Sequence, residues 1–234
     1  MFSVAILAGG LATRLRPITE TIPKALVEVA GKPFIVRQLD YLRDQGITQV
    51  VLCVGYLGEM IRDLVGDGYD LGLHIRYSED GARLLGTGGA LKKAVPLLGD
   101  NFFVLYGDSF LPISFYEVQS AYVNSEQKAL MTVLKNQNQW DTSNVLFARD
   151  QLIEYNKRTP RPNMNYIDYG LGIFSSAVFD PFPAEQPLDL ADIYQGLSVQ
   201  GQLAGFEVCD RFYEIGSPSG LKETEEYFLI KDRV

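Results

Sequence analysis

The first connection of the chain combines glycines with basic side chains. An apolar run over residues 3–7 is typical of a buried parallel strand, and it ends in Ala8, Gly9 and Gly10. Glycines let backbone N–H groups approach an anion without a Cβ in the way, and cationic side chains neutralise its charge. Arg14, Arg16 and Lys24 follow in the loop. The stretch therefore predicts a phosphate site, although it fits neither the Walker loop nor the Gly-x-Gly-x-x-Gly fingerprint.

A second glycine-rich turn, Gly86-Thr87-Gly88-Gly89, leads directly into a predicted helix. Taken alone, it fits a tight strand-to-helix connection equally well. Its place after two strand–helix units favours a ligand contact, because open α/β sheets bind ligands at the carboxyl ends of their strands. Small residues in such a turn would let a flat base approach the backbone.

A carboxylate stands at the end of another apolar strand. Residues 101–106 form the strand, and Gly107 and Asp108 follow it. A hard oxygen ligand suits Mg²⁺, which takes one or two carboxylates and completes its coordination with phosphate and water. Asp108 could instead cap the next helix. Beside a phosphate loop, we favour the metal.

Alternating strands and helices must position these groups. Hydrophobic periodicity predicts helices over 32–46 and 57–65, with strands over 47–54 and 73–77. This alternation predicts a Rossmann-like nucleotide-binding half over residues 1–110. The second half, 111–234, is predicted to contain the following elements: helices at 114–123, 188–199 and from Pro218; strands at 129–134, 168–174 and 203–209; and a hairpin over 140–155. We therefore expect one α/β domain with a mostly parallel, mixed sheet flanked by helices.

Composition limits the function classes. The chain has 234 residues, 47% of them hydrophobic, and a net charge of −8, which argues against nucleic-acid binding. Basic residues concentrate within 14–43, so a small anionic ligand is expected. No apolar run is long enough to span a membrane and no signal segment is recognisable, so the expected location is the cytoplasm. Cys53 and Cys209 are predicted to be buried free thiols.

The first stretch resembles the opening signature of the sugar-phosphate nucleotidylyltransferase family, in which a strand precedes Gly-Gly-x-Gly-Thr-Arg-Leu, then Pro-Lys and Gly-Lys-Pro. The matching residues here are Gly9-Gly10, Thr13-Arg14-Leu15, Pro23-Lys24 and Gly31-Lys32-Pro33. Ala12 departs from the pattern, because the family usually has glycine there. The resemblance runs from Ile6 to Gly216 and implies the GT-A-like nucleotidyltransferase fold.

The resemblance also implies a role for each matching residue. Arg14 would hold the leaving phosphates, and Lys24 the α-phosphate and the acceptor phosphate. Asp108 and Glu214 would bind Mg²⁺, although a capping or solvated role for Glu214 stays open. The remaining substrate-binding candidates are Leu7, Ala8, Gly9, Gly10 and Thr13 of the first loop, Gly86, Thr87 and Gly88 on the nucleoside, and Lys157, Asp168 and Gly170 on the acceptor.

Two departures fall in the acceptor half, where Asn156 stands for a glutamate of the family and Asp168 for an asparagine. The resemblance implies Mg²⁺-dependent transfer of a nucleotidyl group from a nucleoside triphosphate to a sugar 1-phosphate. The products would be pyrophosphate and an NDP-sugar for polysaccharide biosynthesis.

Three alternatives remain: a non-sugar acceptor such as phosphocholine, a glycosyltransferase that consumes a nucleotide sugar, and a binding module without catalysis. The glycosyltransferase usually carries Asp-x-Asp, whereas Ser109 and Phe110 follow Asp108. The sequence does not indicate which nucleobase is preferred, and it is compatible with a homo-oligomer.

Overall fold

The fold, taken from a computed structural model that describes residues 1–11, 13–81 and 83–233, has one central sheet with helices on both faces. Its strands are β1 Ser3–Leu7, β2 Glu28–Val29, β3 Lys32–Pro33, β4 Gln49–Val54, β5 His74–Glu79, β6 Asn101–Tyr106, β7 Ser109–Phe110, β8 Ala129–Lys135, β9 Val145–Ala148, β10 Gln151–Tyr155, β11 Tyr166–Ser175, β12 Leu203–Val208 and β13 Tyr213–Glu214. Its helices are α1 Phe34–Asp44, α2 Gly58–Val65, α3 Gly86–Ala94, α4 Phe115–Ser125, α5 Leu190–Val199 and α6 Pro218–Lys231.

The first half of the chain forms the parallel part of the sheet. Strands β6, β1, β4 and β5 lie side by side in that order, all parallel. The predicted alternation of strands and helices is confirmed here, with bounds shifted by a few residues. Helix α1 buries Ile35 and Leu39 against this sheet and Phe34 in a smaller cluster beside it. These residues have the helical spacing from which the helix was predicted. Pro33 is the residue before the helix rather than part of its first turn.

The second half extends the same sheet with antiparallel strands, so the sheet is mixed. Strand β11 pairs antiparallel with β6 on one side and with β8 on the other, and β12 pairs parallel with β8. The predicted hairpin is present as β9 and β10. Its two turn residues, Arg149 and Asp150, have φ values of 52° and 60°, the left-handed conformation that two-residue hairpin turns require.

Hydrophobic cores lie on the two faces of the sheet. One face packs against α1 and α4 through residues such as Leu39 and Val118, and the other packs against α3 and α5 through residues such as Leu91 and Tyr194. A smaller cluster, which includes Phe34, Phe110 and Phe228, anchors α6. Among the described residues, no helix is long and apolar enough to cross a membrane.

The two cysteines have different environments. Cys53 is a buried free thiol on β4, as predicted, whereas Cys209 is exposed. The prediction for Cys209 is therefore wrong, because this residue follows the last residue of β12, Val208, and lies outside the buried part of that strand.

Candidate active site

A cleft of about 240 Å³ opens at the carboxyl edge of the parallel strands. Strand β11 runs antiparallel to β6, so its amino end reaches the same edge. The residues that line the cleft come from the ends of β1, β4, β5 and β6 and from the connections that follow: Leu7, Ala8, Gly9, Gly10, Lys24, Ala25, Cys53, Asp80, Leu84, Gly86, Thr87, Ala90, Tyr106, Gly107 and Asp108. The structure therefore brings the first loop, the second glycine-rich turn and Asp108 together.

Two glycines beside the cleft allow neighbouring loops to approach closely. A Cβ on Gly9 would lie 3.1 Å from the backbone nitrogen of Gly55, and one on Gly107 would lie 2.8 Å from the carbonyl oxygen of Leu7. Gly10 has open space around it, with nothing within 4 Å of where its Cβ would be. Gly9 is thus needed for packing between loops, and Gly10 leaves the backbone of the first loop accessible from the cleft.

Lys24 and Asp108 form an ion pair at the cleft. Lys24 begins a short 3-10 helix after Pro23, and its Nζ lies 2.7 Å from Oδ2 of Asp108. The Ser109 hydroxyl donates to the other carboxylate oxygen, Oδ1, at 3.2 Å. The side chains of Lys24 and Asp108 retain exposed fractions of 18% and 30%, so both groups remain accessible from solvent.

Glu214 is held next to Asp108 by backbone pairing. Strand β13, which contains Glu214, pairs antiparallel with β7 at Ser109, and the N–H of Ile215 donates to the Asp108 carbonyl at 2.9 Å. The Glu214 carboxylate accepts from the N–H of Gly216 through Oε2 and from the Ser217 hydroxyl, at 2.5 Å, through Oε1. The Glu214 carboxylate therefore lies at the amino end of α6, whose N-cap residue is Ser217.

Gly216 lies where three charged side chains meet. A Cβ on Gly216 would lie 2.7 Å from Oε2 of Glu214, 3.3 Å from Oδ2 of Asp108 and 3.4 Å from Nη2 of Arg14. Since each distance is measured from the same point, the guanidinium of Arg14 and both carboxylates surround one small volume. The residues proposed from the sequence for the leaving phosphates and the metal are thus adjacent in space.

The donor set at this point suits a divalent cation that shares its coordination with phosphate. Two carboxylates, Asp108 and Glu214, are available, and Lys24 and Arg14 offset their charge. Within the described part of the chain, no group of three or more His, Cys, Asp or Glu side chains could hold a metal. A magnesium ion with one or two protein carboxylates, completed by phosphate oxygens and water, fits this set.

The second glycine-rich turn uses most of its polar groups within the protein. The N–H groups of Gly88 and Gly89 donate to the carbonyl of Leu188 at 2.9 and 3.1 Å. The Thr87 hydroxyl accepts from the N–H of Leu190 at 2.9 Å and donates to Oδ1 of Asp189 at 3.1 Å. Gly86 and Thr87 line the cleft, whereas Gly88 does not. Gly88 packs on the 188–189 segment, which a Cβ would approach to 2.8 Å, and its place on the nucleoside stays a prediction.

Asp168 places a carboxyl group on the α5 side of β11. Its Oδ1 accepts from the N–H of Gly170 at 3.0 Å, and burial raises its pKa from 3.8 to about 6. Lys157 opposes this rise in pKa. Gly170, with a φ of +104°, faces the ring of Tyr106, whose nearest carbon lies 3.5 Å from where a Cβ would be. Because Tyr106 lines the cleft, Asp168 and Gly170 lie beside it.

Three other predicted positions are less involved with the cleft. Lys157 and Thr13 are exposed. Asn156 is buried, and its Oδ1 accepts from the N–H of Thr159 at 2.9 Å. Its side chain therefore stabilises a local turn. Ala12, the departure from the family signature, lies outside the described residues.

Sequence reasoning missed two polar groups that line the cleft. The carboxylate of Asp80 accepts from the N–H of Leu85 at 3.1 Å, and burial raises its pKa. Tyr106, the last residue of β6, is also at the cleft, and burial and the charge of Asp168 raise the pKa of its hydroxyl. Each of these residues stands at or just after the carboxyl end of a parallel strand, and this position could have identified them in the sequence.

The fold is that of nucleotidyl transferases. The model of the nucleotidyl transferase family matches residues 3–226, so the chain belongs to that family and is an enzyme of the nucleotidyltransferase class. An N-acetylmuramate α-1-phosphate uridylyltransferase of Neisseria meningitidis is 32% identical over 94% of this chain and 95% of its own length. A D-glycero-α-D-manno-heptose 1-phosphate guanylyltransferase of Campylobacter jejuni is 29% identical over 97% of this chain and 98% of its own.

A solved structure supports the fold. A Bacillus anthracis protein thought to be a glucose-1-phosphate thymidylyltransferase superposes with a TM-score of 0.86 at 22% identity, over 97% of this chain and 95% of its own. The fold predicted from the resemblance is thus confirmed.

Proposed function

We propose that this protein transfers a nucleotidyl group from a nucleoside triphosphate to a sugar 1-phosphate, with Mg²⁺, and releases pyrophosphate. The observation that carries the proposal is the convergence of Arg14, Asp108 and Glu214 around Gly216, with Lys24 paired to Asp108. Two anionic substrates and a leaving pyrophosphate need closely placed cations: Arg14 and Lys24 supply two beside an open cleft, and Asp108 and Glu214 would hold Mg²⁺ as a third.

In the proposed reaction, a phosphate oxygen of the acceptor attacks the α-phosphorus in line. A new P–O bond forms while the bond from the α-phosphorus to the bridging oxygen breaks, and pyrophosphate leaves with that electron pair. No nucleophilic side chain of the protein is needed. Arg14 holds the leaving phosphates, Lys24 neutralises the α-phosphate and the acceptor phosphate, and Lys157 orients the acceptor phosphate.

Asp108 and Glu214 would hold the magnesium ion, which would supply charge neutralisation for the triphosphate when bound. Lys24 is already beside Asp108 at 2.7 Å. Lys24 would therefore reach the phosphate oxygens of a bound triphosphate over a short distance. The open volume next to Gly10 accommodates the phosphates against the backbone of the first loop.

The acceptor side of the site favours a ligand with several hydrogen-bond donors. The Asp168 carboxyl group lies among Tyr106, Tyr155 and Tyr194, and burial together with the charge of Asp168 raises the pKa values of their hydroxyl groups. A carboxylate accepts hydrogen bonds only, so it suits the hydroxyl groups of a sugar. The same negative charge would also suit the cation of phosphocholine, which remains the second candidate acceptor.

The test is pyrophosphate release from each common nucleoside triphosphate paired with a set of acceptors. The set contains mannose, glucose, heptose and amino-sugar 1-phosphates and phosphocholine, each run with Mg²⁺ and with a chelator. Release that needs both a sugar 1-phosphate and the metal is expected. No release with any pair, although a triphosphate raises the melting temperature, would contradict the proposal and indicate a binding module.

A further inference from the structure

Gln38 lies on α1, and its side chain connects this helix to the turn that carries Asp108. Its side-chain amide nitrogen donates to the carbonyl of Tyr106 at 2.9 Å and to the carbonyl of Ser109 at 2.7 Å. These two carbonyls flank Gly107 and Asp108. One buried side chain therefore closes the turn from the core side.

Backbone contacts fix the same turn from two other directions. The N–H of Gly107 donates to the carbonyl of Leu7 at 2.9 Å, and the carbonyl of Asp108 accepts from the N–H of Ile215 at 2.9 Å. Gln38 completes this set by holding the residues on either side. The position of the Asp108 carboxylate relative to Lys24 and Glu214 follows from these anchors together.

The chain retains Gln38 at an energetic cost. Only 2% of the residue is exposed, and its side-chain oxygen is buried without a hydrogen-bond partner among the described residues. A buried, unpaired acceptor destabilises the folded state, so an apolar residue of the same size would relieve a penalty at this position. Such a group in a folded protein needs an explanation, and the two donated hydrogen bonds to the Asp108 turn supply one.

We infer that Gln38 is a positioning residue for the proposed metal site: its two donated hydrogen bonds hold the 106–109 turn so that Asp108 faces Glu214 and Arg14. This inference rests on the proposed function. Gln38 itself touches neither substrate nor metal. Its replacement should therefore weaken metal binding and slow the chemical step more than it weakens triphosphate binding.

The test compares Gln38→Met, which preserves side-chain length and removes both donors, with Ile35→Val. Ile35 is fully buried on the same helix and belongs to a core cluster that includes no residue of the 106–109 turn. Mn²⁺ binding is measured by the paramagnetic resonance of free Mn²⁺ in the presence of a non-hydrolysable triphosphate. Melting curves report folding, and Gln38→Leu serves as a second variant of different shape.

The expected result is Mn²⁺ binding weakened about 10- to 100-fold in Gln38→Met, the range for losing a group that orients a metal ligand. Its turnover should fall while the KM for triphosphate stays unchanged, and Ile35→Val should bind Mn²⁺ as the wild type does. Equal Mn²⁺ binding in Gln38→Met and the wild type, or equal losses in Gln38→Met and Ile35→Val, would overturn the role of Gln38 alone. A wild type that binds no Mn²⁺ with any triphosphate would overturn the proposed function as well.

Discussion

The ammonium group of Lys24 lies 2.7 Å from Oδ2 of Asp108, although 84 residues separate them in the chain. The pair joins a cation of the first loop to the carboxylate two residues after β6, the strand beside β1 in the sheet. Each side chain has a partner before substrate is present, which avoids placing uncompensated charges at the edge of a hydrophobic core. If a triphosphate and its metal were bound, two contacts would replace the ion pair: Lys24 would contact a phosphate, and Asp108 would contact the metal.

Arg14 should act mainly on the leaving phosphates. Because the charge that it neutralises grows as pyrophosphate departs, Arg14→Ala should lower kcat by about 10²–10³, the range for losing one such donor. Steady-state pyrophosphate release measures this. Arg16→Ala is the matched control, since Arg16 is an exposed cation of the same loop, and it should leave kcat unchanged. A change confined to KM in Arg14→Ala would contradict the assignment.

Gly216 should tolerate no side chain. A methyl group there would lie 2.7 Å from the Glu214 carboxylate and displace it, so Gly216→Ala should lower turnover about 10²-fold, a loss typical of a displacement of 1 Å in an active site. Gly196→Ala is the control, because nothing lies within 4 Å of its Cβ position in α5. It should raise stability by about 0.5–1 kcal/mol and leave turnover unchanged. Equal turnover in the two variants would argue against a crowded site.

Asp168 should make acceptor use depend on pH. Its carboxyl pKa of about 6 means that the group loses its proton as the pH rises through 6 and then accepts hydrogen bonds from the acceptor. The kcat/KM for acceptor should therefore rise between pH 5 and 7, and Asp168→Asn should lose this step. The acceptor phosphate also titrates near pH 6, so the comparison must be made between the two proteins on the same acceptor. Identical profiles would exclude Asp168 from acceptor binding.

The same pKa has a consequence for stability. The folded state holds the Asp168 proton more tightly than the unfolded chain, whose pKa is close to 3.8. The free energy of unfolding should therefore fall as the pH rises from 3.8 through 6, because the folded state binds more protons over that interval. Denaturant unfolding of the wild type and of Asp168→Asn across this range would measure the difference.

The two thiols should differ in reactivity. Burial raises the pKa of Cys53 to about 12, so its reactive thiolate is scarce at neutral pH, whereas Cys209 is exposed. A disulfide reagent should label Cys209 in the folded protein and both cysteines after denaturation. Cys209→Ser should remove the native labelling, and rapid labelling of that variant would contradict the buried environment of Cys53.

Local patterns predicted most of the elements. The apolar period of α1, the strand before Gly107 and the start of α6 at Pro218 all follow from neighbouring residues, and the structure has them. Local patterns also predicted the chemistry of the first loop, because glycines and cations there follow a strand directly. The spacing of such groups needs no knowledge of distant partners.

Long-range contacts were not predictable from such patterns. The N–H groups of Gly88 and Gly89 donate to the carbonyl of Leu188, about 100 residues away, a contact that no local pattern indicates. Gln38 gave no signal, because a glutamine within a helix is ordinary until the carbonyls that it meets are known. Asp80 lies in a connection whose course depends on the packing of α3. These residues obtain their roles from the tertiary fold.

The proposed contact between Asp108 and the metal of a triphosphate is tested by Asp108→Asn. Asparagine keeps the shape of the side chain and removes its charge. Mn²⁺ binding with a non-hydrolysable triphosphate should weaken at least ~10-fold, the lower bound for groups that only orient a ligand. Turnover should fall with it. Mn²⁺ affinity and turnover equal to those of the wild type would contradict the account.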